Sequence, residues 1–293
     1  MGASNKYCVL LFMGVYCFCI FGGQESDHQN NFYFTLSPCG ECNYCHVMKD
    51  NLFPLFVAMV RMNKHNSWQE NKLYCDKMPF KSEVFKLLSD KKLIISQYQA
   101  DTMQNIFFEL PHNQAEYTEY FKMFMNQLYQ RFGVARASSG THKRTITLVQ
   151  RYSRCRNIVN IVQLEKVLKD YCARKNFDLN IVQLEKTSIE YQLSIMRDAD
   201  VLIACHGAAL VNAPFIRSGG KVIEIFPFGF KYALFYDFTH SCRPDIAYQE
   251  WHLPAAACYP RMSKPRDAKI MYRYWRDQDI SVDPLELIAR IEK

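Results

Sequence analysis

Two hydrophobic rhythms run through this chain, one with the period of a helix and one of unbroken apolar runs, and the change between them marks its organisation. Tyr117, Tyr120, Phe121, Phe124, Met125, Leu128, Tyr129 and Phe132 recur at three, four, seven and eight, which puts an aromatic stripe on one helical face. Asn113 with Glu116 supplies a capping start and Gly133 a stop. Such a stripe predicts core packing. Upstream, the pattern predicts a helix over 46–62 and short strands at 93–95 and 106–108. Downstream it predicts a strand over Thr145–Val149, a helix over 160–172, a strand over 179–184 and a helix over 189–196. Val201–Cys205 is then apolar throughout, as a parallel strand buried on both faces must be, and 222–226 follows as the next strand. The alternation predicts an α/β fold with a doubly wound parallel sheet in the carboxy-terminal part.

One detail sharpens this reading. The heptapeptide Asn-Ile-Val-Gln-Leu-Glu-Lys occurs at 160–166 and again at 180–186, yet its surroundings predict a helix first and a strand second. Tertiary context must overrule local propensity in one copy. Asp283-Pro284-Leu285-Glu286 predicts the start of a last helix.

Composition bounds the class. The chain has 293 residues, 49% of them hydrophobic, enough for two modest folded domains. Lys6 before the apolar run 7–23 reads as a signal peptide or amino-terminal signal anchor, and so as entry into the secretory pathway; this is the one expected membrane contact. The stretch 134–144, with Ser138-Ser139-Gly140, reads as a linker between an amino-terminal domain (24–141) and a carboxy-terminal domain (142–293). Of 12 cysteines, Cys8, Cys17 and Cys19 lie in the targeting run and leave an odd number, so at least one stays unpaired, with Cys205 the candidate. In an oxidising lumen Cys155 with Cys172, or Cys242 with Cys258, would close short loops. No Asn-x-Ser/Thr sequon occurs. The net charge of +7 suits an anionic ligand, but no basic and aromatic residues interleave as a nucleic-acid module requires, so no nucleic acid is expected.

The chemistry gathers at strand ends. His206-Gly207 stops the run 201–205, Gly207 allows a sharp turn, and Ala208 and Ala209 let a ligand approach the first helical turn, whose free N–H groups favour anions such as a diphosphate. Pro214 must shorten or kink that helix. Glu224 reads as closing its strand, where a carboxylate could meet ribose hydroxyls. After the strand 145–149 come Arg151 and Arg156, with Asn160 beyond; guanidinium groups there can grip phosphate oxygens in pairs. His46 and Asp50, four apart on a helix, can share a proton and so act as a general base. Asp198 and Asp200 precede their strand and read as solvated entry residues rather than a metal site. Cys42, Cys45 and His46 fit a haem-attachment spacing, with Cys39 as a further thiol, but no second axial ligand accompanies them and disulfide use is the stronger reading.

Taken together, several stretches resemble glycosyltransferase family 61, nearest to its O-mannose-directed β-1,4-N-acetylglucosaminyltransferase branch. They are Asn43-Tyr44-Cys45-His46-Val47-Met48-Lys49-Asp50 with Pro54-Leu55-Phe56, then Arg151, Arg156 and Asn160, then His206-Gly207-Ala208 with Leu210 and Glu224, and Tyr274-Trp275-Arg276-Asp277 onward. The arginine spacing is closer to the member that acts on EGF domains. The resemblance implies a GT-B fold, two Rossmann-like domains facing across a cleft. It implies inverting transfer from a UDP-sugar, UDP-N-acetylglucosamine first and UDP-xylose as an alternative, to a glycoprotein or glycan hydroxyl in the endoplasmic reticulum or Golgi lumen. Arg151, Arg156, Asn160, His206, Gly207, Ala208 and Glu224 would then bind the donor, and His46 and Asp50 would face the acceptor. No cofactor and no metal are expected. A catalytically silent relative that only binds a glycan or nucleotide is the competing reading.

Overall fold

The computed structural model describes residues 19–21, 31–34, 45–61, 66, 69, 72–75, 82–90, 94–95, 104–105, 113–134, 143–152 and 155–293, and the chain divides into two compact units, Met1–Phe132 and Gly133–Lys293. The first carries strands β1 (Cys19–Phe21), β2 (Asn31–Phe34), β3 (Lys72–Cys75), β4 (Ile94–Ile95) and β5 (Gln104–Asn105) in the order β4-β3-β2-β1-β5. β2, β3 and β4 run parallel, while β1 is antiparallel to both its neighbours, so this sheet is mixed. Residues 19–21, the end of the apolar run 7–23, are one of its strands. The predicted strands are partly met: Ile94–Ile95 lies inside 93–95, whereas 106–108 lies outside the described residues.

The helix foreseen over 46–62 is present with a fault in it. His46–Leu52 is wound as a π-helix and continues into helix α1 (Phe53–Arg61). Pro54 has no N–H and its ring crowds the carbonyl four residues back, and the turn before it is widened, so that the Phe53 N–H reaches Met48 O, five residues away. Helix α2 (Gln114–Arg131) begins where the cap predicts, with the Asn113 side chain accepting from the Glu116 N–H at 2.9 Å, and Gly133 leaves it with φ 63. The aromatic stripe is core: Phe121, Phe124 and Leu128 are buried, and Phe53 of α1 meets Tyr117, Phe121 and Phe124 with ring centroids 5.2–5.6 Å apart.

The second unit is built on β6 (Thr145–Val149), β7 (Asp178–Val182), β8 (Val201–Cys205), β9 (Lys221–Phe226) and β10 (Ala247–His252), a five-stranded sheet in the order β10-β9-β8-β6-β7 with every pairing parallel. Helix α3 (Ile161–Lys175) joins β6 to β7, and α4 (Ile189–Asp198) carries the chain back past β6 to β8. Right-handed crossovers in opposite directions put these two helices on opposite faces, which makes the sheet doubly wound as predicted. On one face Ile146, Leu148, Ile203, Ile223, Ile225 and Trp251 pack with α3 and with the last helix. Each large aliphatic side chain there contributes about 1.5–3 kcal/mol of transfer free energy. β6 and β8 are buried at every position; β8 is apolar throughout, as a strand buried on both faces must be, whereas β6 also buries Thr145 and Thr147. The two heptapeptide copies take different states: the first leads from Asn160 into α3 as foreseen, while of the second only Asn180–Val182 is strand and its end closes in a 3-10 turn, Leu184–Lys186, so the strand stops short of the predicted 184.

Pro214 has its effect. The segment Ala208–Phe215 is a 3-10 helix rather than an α-helix, the tighter winding that contains this proline. The chain finishes through α5 (Leu234–Cys242), the antiparallel pair β11 (Cys258–Pro260) and β12 (Gln278–Ile280) with α6 (Ala268–Arg276) between them, and α7 (Pro284–Glu292), whose Asp283 cap accepts from the Leu285 and Glu286 N–H groups.

The disulfides proposed from sequence, Cys155 with Cys172 and Cys242 with Cys258, do not form, and Cys205 remains a thiol as expected. Topology gives the reason. Cys155 follows β6 at the carboxyl edge of the sheet, while Cys172 lies near the far end of α3, which returns to the amino edge. Cys242 ends α5 on that same amino edge, while Cys258 follows β10 at the carboxyl edge. Among the described residues no helix is long and apolar enough to cross a membrane.

Candidate functional site

Because β7 lies on one side of β6 and β8 on the other, the chain reverses direction between them, and the carboxyl ends of β6 and β8 flank the topological switch point where open α/β sheets place ligands. Arg151 follows β6 there, and His206-Gly207 follows β8. Arg156 sits in the same loop with φ 64, a left-handed conformation that costs a non-glycine residue about 1–2 kcal/mol. The loop is pinned from the closing segment: Asp279 accepts from the N–H and Nδ2 of Asn157, Ile158 pairs with Ile280, and Asp277 lies 3.7 Å from Arg156 Nε.

The two guanidinium groups converge on one glycine. A Cβ at Gly207 would lie 2.4 Å from Arg151 Nη1 and 3.1 Å from Arg156 Nη1. Only the missing side chain lets both approach the turn. Arg156 Nη1 donates to the His206 carbonyl at 2.9 Å. Burial, and after it repulsion from Arg156, lowers the Arg151 pKa below the ordinary arginine value. Two like charges held together out of water favour an incoming anion. Asp277 answers part of that charge: burial pushes its carboxyl up, but Arg276 at 2.6 and 2.8 Å, with Arg156, outweighs burial and holds it below the usual range.

Glu224 departs from expectation. It stands fourth of six in β9, not at its end, and is fully buried. Its Oε1 is 2.6 Å from His206 Nδ1, and its Oε2 accepts from the Tyr248 hydroxyl at 2.7 Å. With both oxygens committed inside the protein, it serves His206 rather than ribose hydroxyls directly. The His206 ring is enclosed by Phe226, Phe230 and Phe235, and Phe226 is itself stacked on His252. Asn160 is also otherwise engaged. Its Nδ2 donates to Val282 O at 2.8 Å and its Oδ1 accepts from Val282 N at 2.9 Å, which ties the start of α3 to the chain before α7.

Ala208 opens the 3-10 helix beside this turn and is half-buried. For His46 and Asp50 the backbone lies in the π-helical turn; their side chains lie outside the described residues. Asp198 and Asp200 lie at the entry of β8 on the amino edge, as expected, but are half-buried and engaged rather than solvated: Arg197 grips Asp198 and the Thr145 N–H donates to Asp200. A cavity of about 300 Å³ opens on that same amino edge, lined by Arg144, Asp200, Gly220, Lys221 and Ala247. It is at the wrong end of the strands for the switch point, and the convergence at Gly207 is the better guide to a ligand site. Sequence reasoning missed Tyr248, which no motif marks. It also assigned no role to Asp277, although the stretch 274–277 had stood out.

The comparisons fall on this region. A family model described as Glycosyltransferase 61 matches residues 44–223. "Protein O-linked-mannose beta-1,4-N-acetylglucosaminyltransferase 2" from Tetraodon nigroviridis is 27% identical over 211 residues, 64% of this chain and 35% of that protein, so the chain spans about a third of this relative's length. Among solved structures, "Metal soaked Flv1 flavodiiron core from Synechocystis sp. PCC6803" covers 47% of this chain and 36% of its own at 11% identity, with a TM-score of 0.27 that carries no weight for the fold. The family match takes in both arginines and the His206-Gly207 turn and extends over more than half of the chain: this protein belongs to glycosyltransferase family 61.

Proposed function

We propose that the chain is an inverting transferase that moves a sugar, N-acetylglucosamine, from a UDP-sugar to a hydroxyl of an O-mannose-type glycan on a glycoprotein in the lumen of the endoplasmic reticulum or Golgi. The observation that carries the reading is the convergence of Arg151 and Arg156 on Gly207 at the switch point. The name of the Tetraodon nigroviridis relative, an O-linked-mannose β-1,4-N-acetylglucosaminyltransferase, supports the choice of sugar and acceptor. In this reading the two units are the halves of a GT-B transferase, with His46 and Asp50 on the acceptor side.

The chemistry follows from the charges. An acceptor oxygen attacks the anomeric carbon from the face opposite the diphosphate, the carbon–oxygen bond to the β-phosphate breaks, and the acceptor proton passes to Asp50 or His46. The electron pair leaves with UDP. Arg151 and Arg156 neutralise the charge that grows on the leaving diphosphate, in a setting where burial strengthens the attraction and no metal ion is called for. Loss of one such donor lowers rate about a hundredfold or more. Arg156→Ala should therefore abolish UDP release from UDP-N-acetylglucosamine in the presence of an O-mannosyl glycopeptide, with the circular dichroism spectrum unchanged. Near-normal turnover would refute the assignment. UDP binding in the wild-type chain with no transfer under any donor would instead identify a silent, nucleotide-binding relative.

A further inference from the structure

Three neighbouring strands carry a hydrogen-bonded chain that none of the steps above uses. Alternation along β8, β9 and β10 puts Ala204 and His206, Val222, Glu224 and Phe226, and Tyr248, Glu250 and His252 on one face, opposite the apolar cluster around Ile203 and Ile225. In register, Tyr248 pairs with Val222 and Ala204 with Glu224. Each polar residue therefore reaches its partner two positions further toward the carboxyl edge: the Tyr248 hydroxyl donates to Glu224 Oε2, and Glu224 Oε1 meets His206 Nδ1. The chain ends at the grip, because Arg156 donates to the His206 carbonyl and Gly207, the next residue, is the surface on which both guanidinium groups lie.

We propose that Tyr248 is a positioning residue of the donor site, holding Glu224 and through it the His206 ring, so that the His206 carbonyl and the Gly207 turn are presented to Arg156 and Arg151. The proposal rests on the diphosphate reading of that turn. A carboxylate that is fully buried needs both oxygens answered, and a Glu224 free to rotate would release the ring that fixes the turn. Burial, and after it the Glu224 charge, holds the Tyr248 hydroxyl protonated well above the ordinary tyrosine range, so it remains a donor. Phe226, Phe230 and Phe235 surround the His206 ring with apolar faces, and the polar hold on its Nδ1 comes from Glu224, itself held by Tyr248.

The test compares UDP with uridine, which lacks phosphate, by calorimetry on the full chain. Tyr248→Phe should weaken UDP about tenfold, the worth of one charge-assisted hydrogen bond, and leave uridine within about twofold. Tyr236→Phe, whose ring packs edge-on against Tyr248 at 5.6 Å, should alter neither. Should Tyr248→Phe fail to fold, Glu224→Gln, which keeps the size but removes the charge that orients His206, must show the same selective loss. Unchanged UDP affinity, or equal weakening of UDP and uridine, overturns the proposal. Failure of the wild-type chain to bind UDP at all would mark failure of the underlying diphosphate reading instead.

Discussion

Replacing Gly207 with alanine adds one carbon at the point where two cations meet. That carbon would sit 2.4 Å from Arg151 Nη1 and 3.1 Å from Arg156 Nη1. Carbon–nitrogen contact is comfortable only near 3.5 Å, so Arg151 must retreat by about 1 Å, and a displacement of that size in a reacting assembly can lower rate about a hundredfold. The φ of +159 at Gly207 strains any side chain there as well, so some loss of melting temperature accompanies the change, while the atoms that the added carbon displaces are the ends of the two arginine side chains at the site. Steady-state release of UDP from the UDP-sugar should show kcat/KM down about a hundredfold. Gly219→Ala is the control: its φ of +71 strains any side chain, yet nothing lies within 4 Å of the added carbon, and it sits at the amino edge. It should lower the melting temperature and keep the rate. Full activity in Gly207→Ala, or equal loss of rate in Gly219→Ala, would refute the idea that this turn is built around the two guanidinium groups.

Asn160→Ala removes both hydrogen bonds to Val282 and should cost about 2 kcal/mol of stability in urea melts while leaving the KM for the UDP-sugar within about twofold; a large rise in KM would return Asn160 to the donor site. Acid should loosen the second unit through depressed carboxylates: Arg243, against the effect of partial burial, holds Asp245 well below the usual range, and Arg276 with Arg156 does the same for Asp277. Such groups contribute stability that is whole above the unfolded-state pKa of about 4 and is lost as pH falls through it toward the folded value. The urea midpoint should therefore drop between pH 5 and pH 3, and drop less in Asp245→Asn. Equal slopes in the two proteins would count against this account.

Much of the second unit was legible because its elements are locally overdetermined. Val201–Cys205 reads as a strand buried on both faces, and Asp283 reads as a cap, as Asn113 does in the first unit, since the hydrogen bonds they make lie within a few residues. Pro214 announced the broken helix, because a missing N–H is a property of the residue itself. The second heptapeptide was read as strand from its neighbours, and its first three residues are strand while its end winds into a 3-10 turn. The cysteine pairings failed for the converse reason: loop length is written in the chain, whereas the edge of the sheet to which each thiol returns is not.

The sequence by itself determined the alternation of strand and helix, the arginines after β6, and the histidine and glycine after β8, because period, cap and turn are short-range properties. The tertiary structure alone decided what those residues meet. Strand order brought β6 beside β8, so that Arg151 and Arg156 close on Gly207, and it placed β10 beside β9, so that Tyr248 completes the bonding of Glu224. Partners on different strands are chosen by sheet order and register, and these are set by how whole layers bury their apolar faces together.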